Sequence, residues 1–233
     1  MKISGSVALV TGANRGLGAA FAQALLDRGA RTVYAAARNP ATISGAGLVA
    51  IELDITDPDA VAAAAARCAD VDLLINNAGI ARMGAGDLDS ARAEMETNYF
   101  GTLSMSRAFA PVLARNGGGA LVNVLSVLSL ITFPEVSTYA ASKAAAWSLT
   151  NALRVELKKQ GTHVLGVHAG YIDTDMAAHA TGPKISPAEV VAQTLDALES
   201  EAYEVLADTI SKQARAALSG DLELLYPALA ARG

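Results

Sequence analysis

The sequence predicts a three-layer α/β fold, a doubly wound parallel sheet with helices on both faces, in a single domain spanning residues 1–233. Three observations predict it. Short apolar β-type runs alternate with helical patterns along the whole chain, the order that builds a parallel sheet. The first run leads directly into a glycine-rich loop and then a helix. A chain of 233 residues is long enough to bury the large core such a fold needs.

Residues 6–11 (S-V-A-L-V-T) read as the first strand, followed by T-G-A-N-R-G-L-G at 11–18 and a helical pattern through Arg28. Strand, glycine loop and helix together point backbone N–H groups and a positive helix end at phosphate. Thr11, Gly12, Asn14, Arg15, Gly16, Leu17 and Gly18 are therefore candidate dinucleotide ligands, although a glycine loop alone also suits an ordinary turn. Arg31 to Ala37 reads as the second strand. Its end faces the adenine ribose in a dinucleotide site, where an acid suits NAD and an arginine accommodates the extra phosphate of NADP. Here Ala36 and Ala37 supply no carboxylate, Arg38 follows, and Arg15 adds a second cation. This favours NADP(H) over NAD(H); the plainer reading makes both arginines surface charges.

Asn39 to Gly47 is too broken by Pro, Ser and Gly for a full helix. Val49 to Leu53 is the third strand, with Asp54 placed to accept a hydrogen bond from adenine and Ile55 beside it. Asp57-Pro58 supplies an N-cap and a proline at the first helical position for a helix to Cys68. Val71 to Ile75 is the fourth strand. It runs into Asn76-Asn77-Ala78-Gly79, small enough at Asn77, Ala78 and Gly79 for a cofactor to approach, with amides able to tie strands together. Asp89-Ser90 is expected to cap a long helix carrying Asn98, whose polar side chain needs a partner there. Gly117-Gly118-Gly119 turns the chain into a fifth strand, Ala120 to Leu125, which delivers Ser126.

The next helix, to about Gln160, carries Tyr139 and Lys143 at i and i+4, on one face. A phenol with a pKa near 10 is a poor acid or base at neutral pH, and a cation within about 4–6 Å lowers it by roughly 1–3 units. The pair is therefore expected to trade protons near pH 7, whereas taken alone it also suits a solvated helix face. Thr162 to Val167 is the sixth strand, followed by H-A-G-Y-I-D-T-D-M. His163 and His168 read as structural, and His179 has no evident task. Ser186-Pro187-Ala188-Glu189 is a capping box, which leaves 177–185 for a lid. A last strand at 203–207 and a helix at 208–218 complete the pattern.

Net charge is −5 and pI near 5.2, so no basic field exists to hold nucleic acid or an anionic membrane. Cys68 alone makes no internal disulfide and is expected to pack as a small hydrophobe. The chain enters a strand almost at once, without a basic stretch leading into a long apolar core, so a cytoplasmic protein is expected.

Taken together, T-G-A-N-R-G-L-G at 11–18, Asp54, N-N-A-G at 76–79, Asn98, Ser126, Y-A-A-S-K at 139–143 and G-Y-I-D-T-D at 170–175 resemble the short-chain dehydrogenase/reductase family over essentially the full length. The resemblance implies a Rossmann-type fold, with a cofactor half over roughly 1–118 and a catalytic half over roughly 119–233. It implies a tetrad of Asn98, Ser126, Tyr139 and Lys143. In that tetrad Tyr139 exchanges the proton, Ser126 bonds the developing oxyanion, Lys143 lowers the tyrosine pKa and bonds the nicotinamide ribose, and Asn98 holds a water. Gly170, Tyr171, Ile172 and Thr174 join the cofactor ligands, Ile172 and Thr174 at the carboxamide. The implied activity is NADP(H)-dependent hydride transfer on the carbonyl or alcohol of a small molecule. Val127, Leu128, Phe133, Val136 and Tyr171, with Glu135 the exception, make that substrate a mainly apolar ketone or aldehyde. Alternatives are an imine or acyl-ketone reductase and a non-catalytic cofactor sensor. A homodimer or homotetramer through the 139–160 helix is the family's habit. Two departures from the family pattern are Ala169, where proline is usual, and the bulky Leu125 before the serine.

Overall fold

The computed structural model describes residues 1–82 and 86–229. Seven parallel strands form one sheet: β1 (Val7–Thr11), β2 (Thr32–Ala37), β3 (Leu48–Glu52), β4 (Leu73–Asn76), β5 (Ala120–Val124), β6 (His163–His168) and β7 (Glu204–Leu206). Their order in space is β3-β2-β1-β4-β5-β6-β7. The chain thus builds outward from β1 in one direction, returns, and builds outward from β4 in the other. That reversal opens a crevice beyond the carboxyl ends of β1 and β4, where ligands of such sheets bind.

One core layer packs α1 (Gly16–Asp27) and α6 (Pro187–Glu199) on one face of the sheet, with Phe21, Leu25 and Leu195 fully buried. The other face is covered by α2 (Pro58–Arg67), α4 (Thr102–Arg115) and α5 (Ser137–Leu157), whose Met105, Phe109 and Leu153 are equally buried. Each such side chain withdrawn from water contributes roughly 1.5–3 kcal/mol. Ala120, Leu121 and Val122 of β5 are all buried, as expected of a strand covered on both sides. The remaining α-helices among the described residues are α3 (Leu88–Met95), α7 (Thr209–Ala217) and the short α8 (Leu222–Leu225).

Several local signals act as read. Asp57 caps α2 through the amides of Asp59 and Ala60, and Ser186 with Glu189 closes a reciprocal capping box on α6. The three glycines at 117–119 all have positive φ, and a Cβ at Gly119 would lie 2.0 Å from the Asp72 carbonyl oxygen. Cys68 is buried, and burial pushes its thiol up to about 11. Leu125 finds its space over Gly166, where a Cβ would come within 3.2 Å of it.

Two expectations are corrected. The cap of α3 is Asp87, two residues before the expected Asp89, because its carboxylate accepts from both the amide and the hydroxyl of Ser90. The long helix is also broken: Glu96–Gly101 forms a π-helical turn between α3 and α4. Helix α5 buries one face through Ala140, Lys143, Ala146, Leu149 and Leu153, while Ala141, Ala144, Ser148 and Val155 stay exposed in the single chain. Among the described residues no helix is long and apolar enough to cross a membrane, and no cluster of three or more metal-ligating side chains occurs.

Candidate active site

The carboxyl ends of the strands converge on one cleft of about 1540 Å³. Every residue expected to contact the cofactor lines it: Thr11, Gly12 and Asn14 to Gly18, Arg38, Asp54 and Ile55, Asn77 to Gly79, and Gly170 to Ile172 with Thr174. Ser126, Tyr139 and Lys143 line the same cleft, whereas Asn98 stands behind its wall.

The first turn of the cleft is a cradle that only glycine fits. Gly12 has φ +65°, and a Cβ on it would touch the Ala78 Cα at 3.0 Å; one on Gly18 would lie 2.2 Å from the Gly12 carbonyl oxygen. Thr11 locks this loop to β4: its hydroxyl accepts from the amides of Asn77 (2.9 Å) and Ala78 (3.0 Å), while Asn77 Nδ2 donates to the Thr11 carbonyl at 2.8 Å. Helix α1 begins after Arg15 with no side-chain cap, so its first amides remain available to an anion. Arg38 and the capless helix end together fit the phosphates of a dinucleotide. Asp54 is held by Thr56, whose amide and hydroxyl bond one carboxylate oxygen and lower its pKa below the usual carboxylate value. Arg15 pairs at 3.1 Å with Asp175 across the mouth of the cleft, an exposed contact of small energetic weight.

Ser126 follows β5 and accepts from the Leu128 amide at 3.1 Å through its hydroxyl oxygen. It also hydrogen-bonds the Tyr139 phenol, which pulls the phenol's pKa down. Burial outweighs that bond, and with the nearby Glu94 carboxylate it pushes Tyr139 up to about 12. The expected lowering by Lys143 is therefore corrected for the protein alone. Lys143 donates at 3.0 Å to the Val124 carbonyl, with Nζ 5.9 Å from the tyrosine ring centre, and burial brings its own pKa down to about 8. The i, i+4 spacing brings the two side chains together; the ammonium's aim is set by β5.

Asn98, expected to hold a water, is itself fixed by hydrogen bonds on both sides. Within the π-helical turn its Oδ1 accepts from the Ile80 amide, and its Nδ2 donates to the Ile80 carbonyl and to Ser142 Oγ, each at 2.9 Å. Both amide hydrogens are spent holding the segment after β4 against α5. A buried Asn in a helix is tolerated here because every donor has a partner.

The outer part of the cleft is lined by Val127, Leu128, Phe133, Val136 and Tyr171, as read from the sequence, whereas Glu135 does not line it. Sequence reasoning missed Arg82, Asp208 and Gln213 and assigned nothing to His179, all of which line it. They follow β4, β6 and β7, and only the sheet order brings them together. His179 meets the Tyr171 ring edge-on at 6.0 Å. Asp208 anchors the loop after β6 by accepting from the Gly170 amide at 2.6 Å.

The sequence pattern of the short chain dehydrogenase family matches residues 6–184. A galactitol 2-dehydrogenase (L-tagatose-forming) of Cereibacter sphaeroides is 38% identical over 189 residues, covering 75% of this chain and 74% of its own. A bovine dehydrogenase/reductase SDR family member 7B is 33% identical over 200 residues, and the match covers 76% of this chain and 61% of that longer one. Among solved structures, a short chain dehydrogenase from Burkholderia cenocepacia in complex with NADP superposes with a TM-score of 0.94 at 46% identity, covering 99% of this chain and 100% of that one.

Proposed function

The chain belongs to the short chain dehydrogenase family, and from that premise we propose an NADP(H)-dependent reductase of uncharged, mainly apolar ketones and aldehydes, with the corresponding alcohols as products. The observation that carries the reading is the convergence of Ser126, Tyr139 and Lys143 on the cleft that the glycine cradle opens. The bound cofactor supplies the hydride. The phosphates would rest on the glycine loop and the first amides of α1, with Arg38 and Arg15 meeting the additional phosphate of NADP.

The side chains then divide the remaining work. Tyr139 is protonated at every physiological pH, since burial holds it near 12. A protonated phenol can donate to the carbonyl oxygen as hydride arrives and take a proton back in the reverse direction. Ser126 donates a hydrogen bond to the oxygen that gains charge, an interaction in which losing one such donor costs about 10²–10³ in kcat. Lys143, charged below about pH 8, supplies positive potential near the phenol when it loses its proton. Val127, Leu128, Phe133 and Val136 support an apolar substituent, with Arg82 and Gln213 adding polar groups to the same lining.

The test is a screen of NADPH oxidation over ketones, aldehydes, keto-sugars and 3-oxoacyl thioesters, with Tyr139→Phe as the control. The variant keeps the ring and removes the proton, so kcat is expected to fall at least about 10²-fold, the usual worth of general acid catalysis. NADPH binding, followed by fluorescence, should persist. Turnover by Tyr139→Phe within a few-fold of wild type would overturn the assignment.

A further inference from the structure

His168 ends β6 directly beneath the turn that carries Ser126, and it is fully buried. Its Nδ1 lies 3.2 Å from the Ser126 carbonyl oxygen and 2.9 Å from Ser129 Oγ. Ser129 in turn donates its hydroxyl to that same carbonyl, which also accepts from the Ser129 amide at 3.0 Å. Where the serine hydroxyl donates to the carbonyl, the imidazole meets Ser129 Oγ as the tautomer protonated on Nδ1. The same N–H faces the Ser126 carbonyl. One more bond docks the turn on this strand end, from the Val127 amide to the Ala169 carbonyl at 2.8 Å.

The opposite edge of the ring has nothing comparable. Nε2 is buried without a hydrogen-bond partner. Glu204 of β7 is 3.9 Å away, and its carboxylate is already engaged by Arg215 of α7 at 3.1 Å and neighboured by Arg154 of α5 at 3.8 Å. Trp147 meets the ring edge-on at 6.1 Å. An aliphatic side chain would fill this space without stranding a nitrogen. The polar half that is satisfied points wholly at the serine turn.

We propose that His168 is a positioning residue: with Ser129 it clamps the Ser126 carbonyl and so fixes where the Ser126 hydroxyl meets the substrate oxygen. This rests on the reading of Ser126 as the donor to that oxygen. Burial lowers the imidazole pKa, against the pull of Ser126 and Glu204, so the ring works as a neutral Nδ1–H donor.

The test compares His168→Leu, His168→Asn and Ser129→Ala in the full chain. Asparagine places an N–H near the position of Nδ1; leucine fills the volume without one. His168→Leu should lower kcat about tenfold or more, short of the 10²–10³ expected for losing the Ser126 hydroxyl itself. NADPH affinity should be unchanged, and His168→Asn should recover most of kcat. Amide hydrogen exchange over residues 127–130 should quicken in His168→Leu and return toward wild type in His168→Asn. Ser129→Ala, a smaller change in the event that leucine is not accommodated, should move kcat and exchange in the same direction. Wild-type kcat and exchange in His168→Leu, or an equal kcat loss in the asparagine and leucine variants, would overturn the proposal. Should Ser126→Ala keep full activity, the reading of the serine falls, and the exchange data alone then decide on the clamp.

Discussion

Replacing Lys143 by methionine is expected to stabilise the protein slightly while disabling it. The ammonium is buried beside β5, and desolvation brings its pKa from 10.5 to about 8. Keeping it charged at pH 7 therefore costs about 3 kcal/mol relative to the unfolded chain. Methionine has a similar stem and no charge, so that cost disappears. The bond to the Val124 carbonyl disappears too, a loss of about 2 kcal/mol for a charged donor. The difference, about 1 kcal/mol in favour of the variant, corresponds to a Tm rise of about 2–4 °C for a chain of this size. Between about pH 8 and 10.5 the folded wild type binds fewer protons at this site than the unfolded chain, so its stability rises with pH there. The variant has no such group. Thermal melts by circular dichroism at neutral and at alkaline pH should show the methionine variant ahead at first and behind once the lysine is neutral in both states. A methionine variant that melts well below wild type at pH 7, or a difference that does not change with pH, would refute the argument that this charge is held at a cost.

Further outcomes follow from the same geometry. In Gly18→Ala the new methyl would meet backbone at 2.2 Å, so NADPH binding measured by fluorescence titration should vanish, with a fall in Tm. Arg38→Ser should raise KM for NADPH and leave KM for NADH nearly unchanged, because only the former carries the extra phosphate. His168 has a depressed pKa in the fold, so the folded state binds fewer protons than the unfolded chain as the pH drops through about 6.5, and stability declines there. Melts of wild type and His168→Asn from neutral to mildly acid pH should show part of that decline missing in the variant.

What was legible in the chain was local. The glycine loop, the Asp57 and Ser186 caps and the Tyr139–Lys143 pair each depend on residues within a few positions, and the fold places them as read. Asp87 was hidden because Asp89-Ser90 offers an equally good cap, and the choice rests on where the Ser90 hydroxyl points. The rise in the Tyr139 pKa was hidden for another reason. Its causes are burial and Glu94, a residue far away in sequence that packing between α3 and α5 brings close. Arg82, His179 and Gln213 carry no motif at all; a sheet whose strands all end on one side assembles them.

The widened turn at Glu96–Gly101 has a consequence for how one stretch of chain serves two neighbours. A π turn inserts about one residue into the helical repeat, which rotates everything after it by roughly a quarter-circle relative to an unbroken spiral. Before the insertion, α3 shows its inner stripe to α5; after it, α4 turns its stripe to α2 and β4. Deleting a single residue here would throw Met105 and Phe109 out of phase with the sheet, however helical the shortened segment became. The irregularity thus acts as a gear offset, and the length of this stretch is constrained more tightly than its composition.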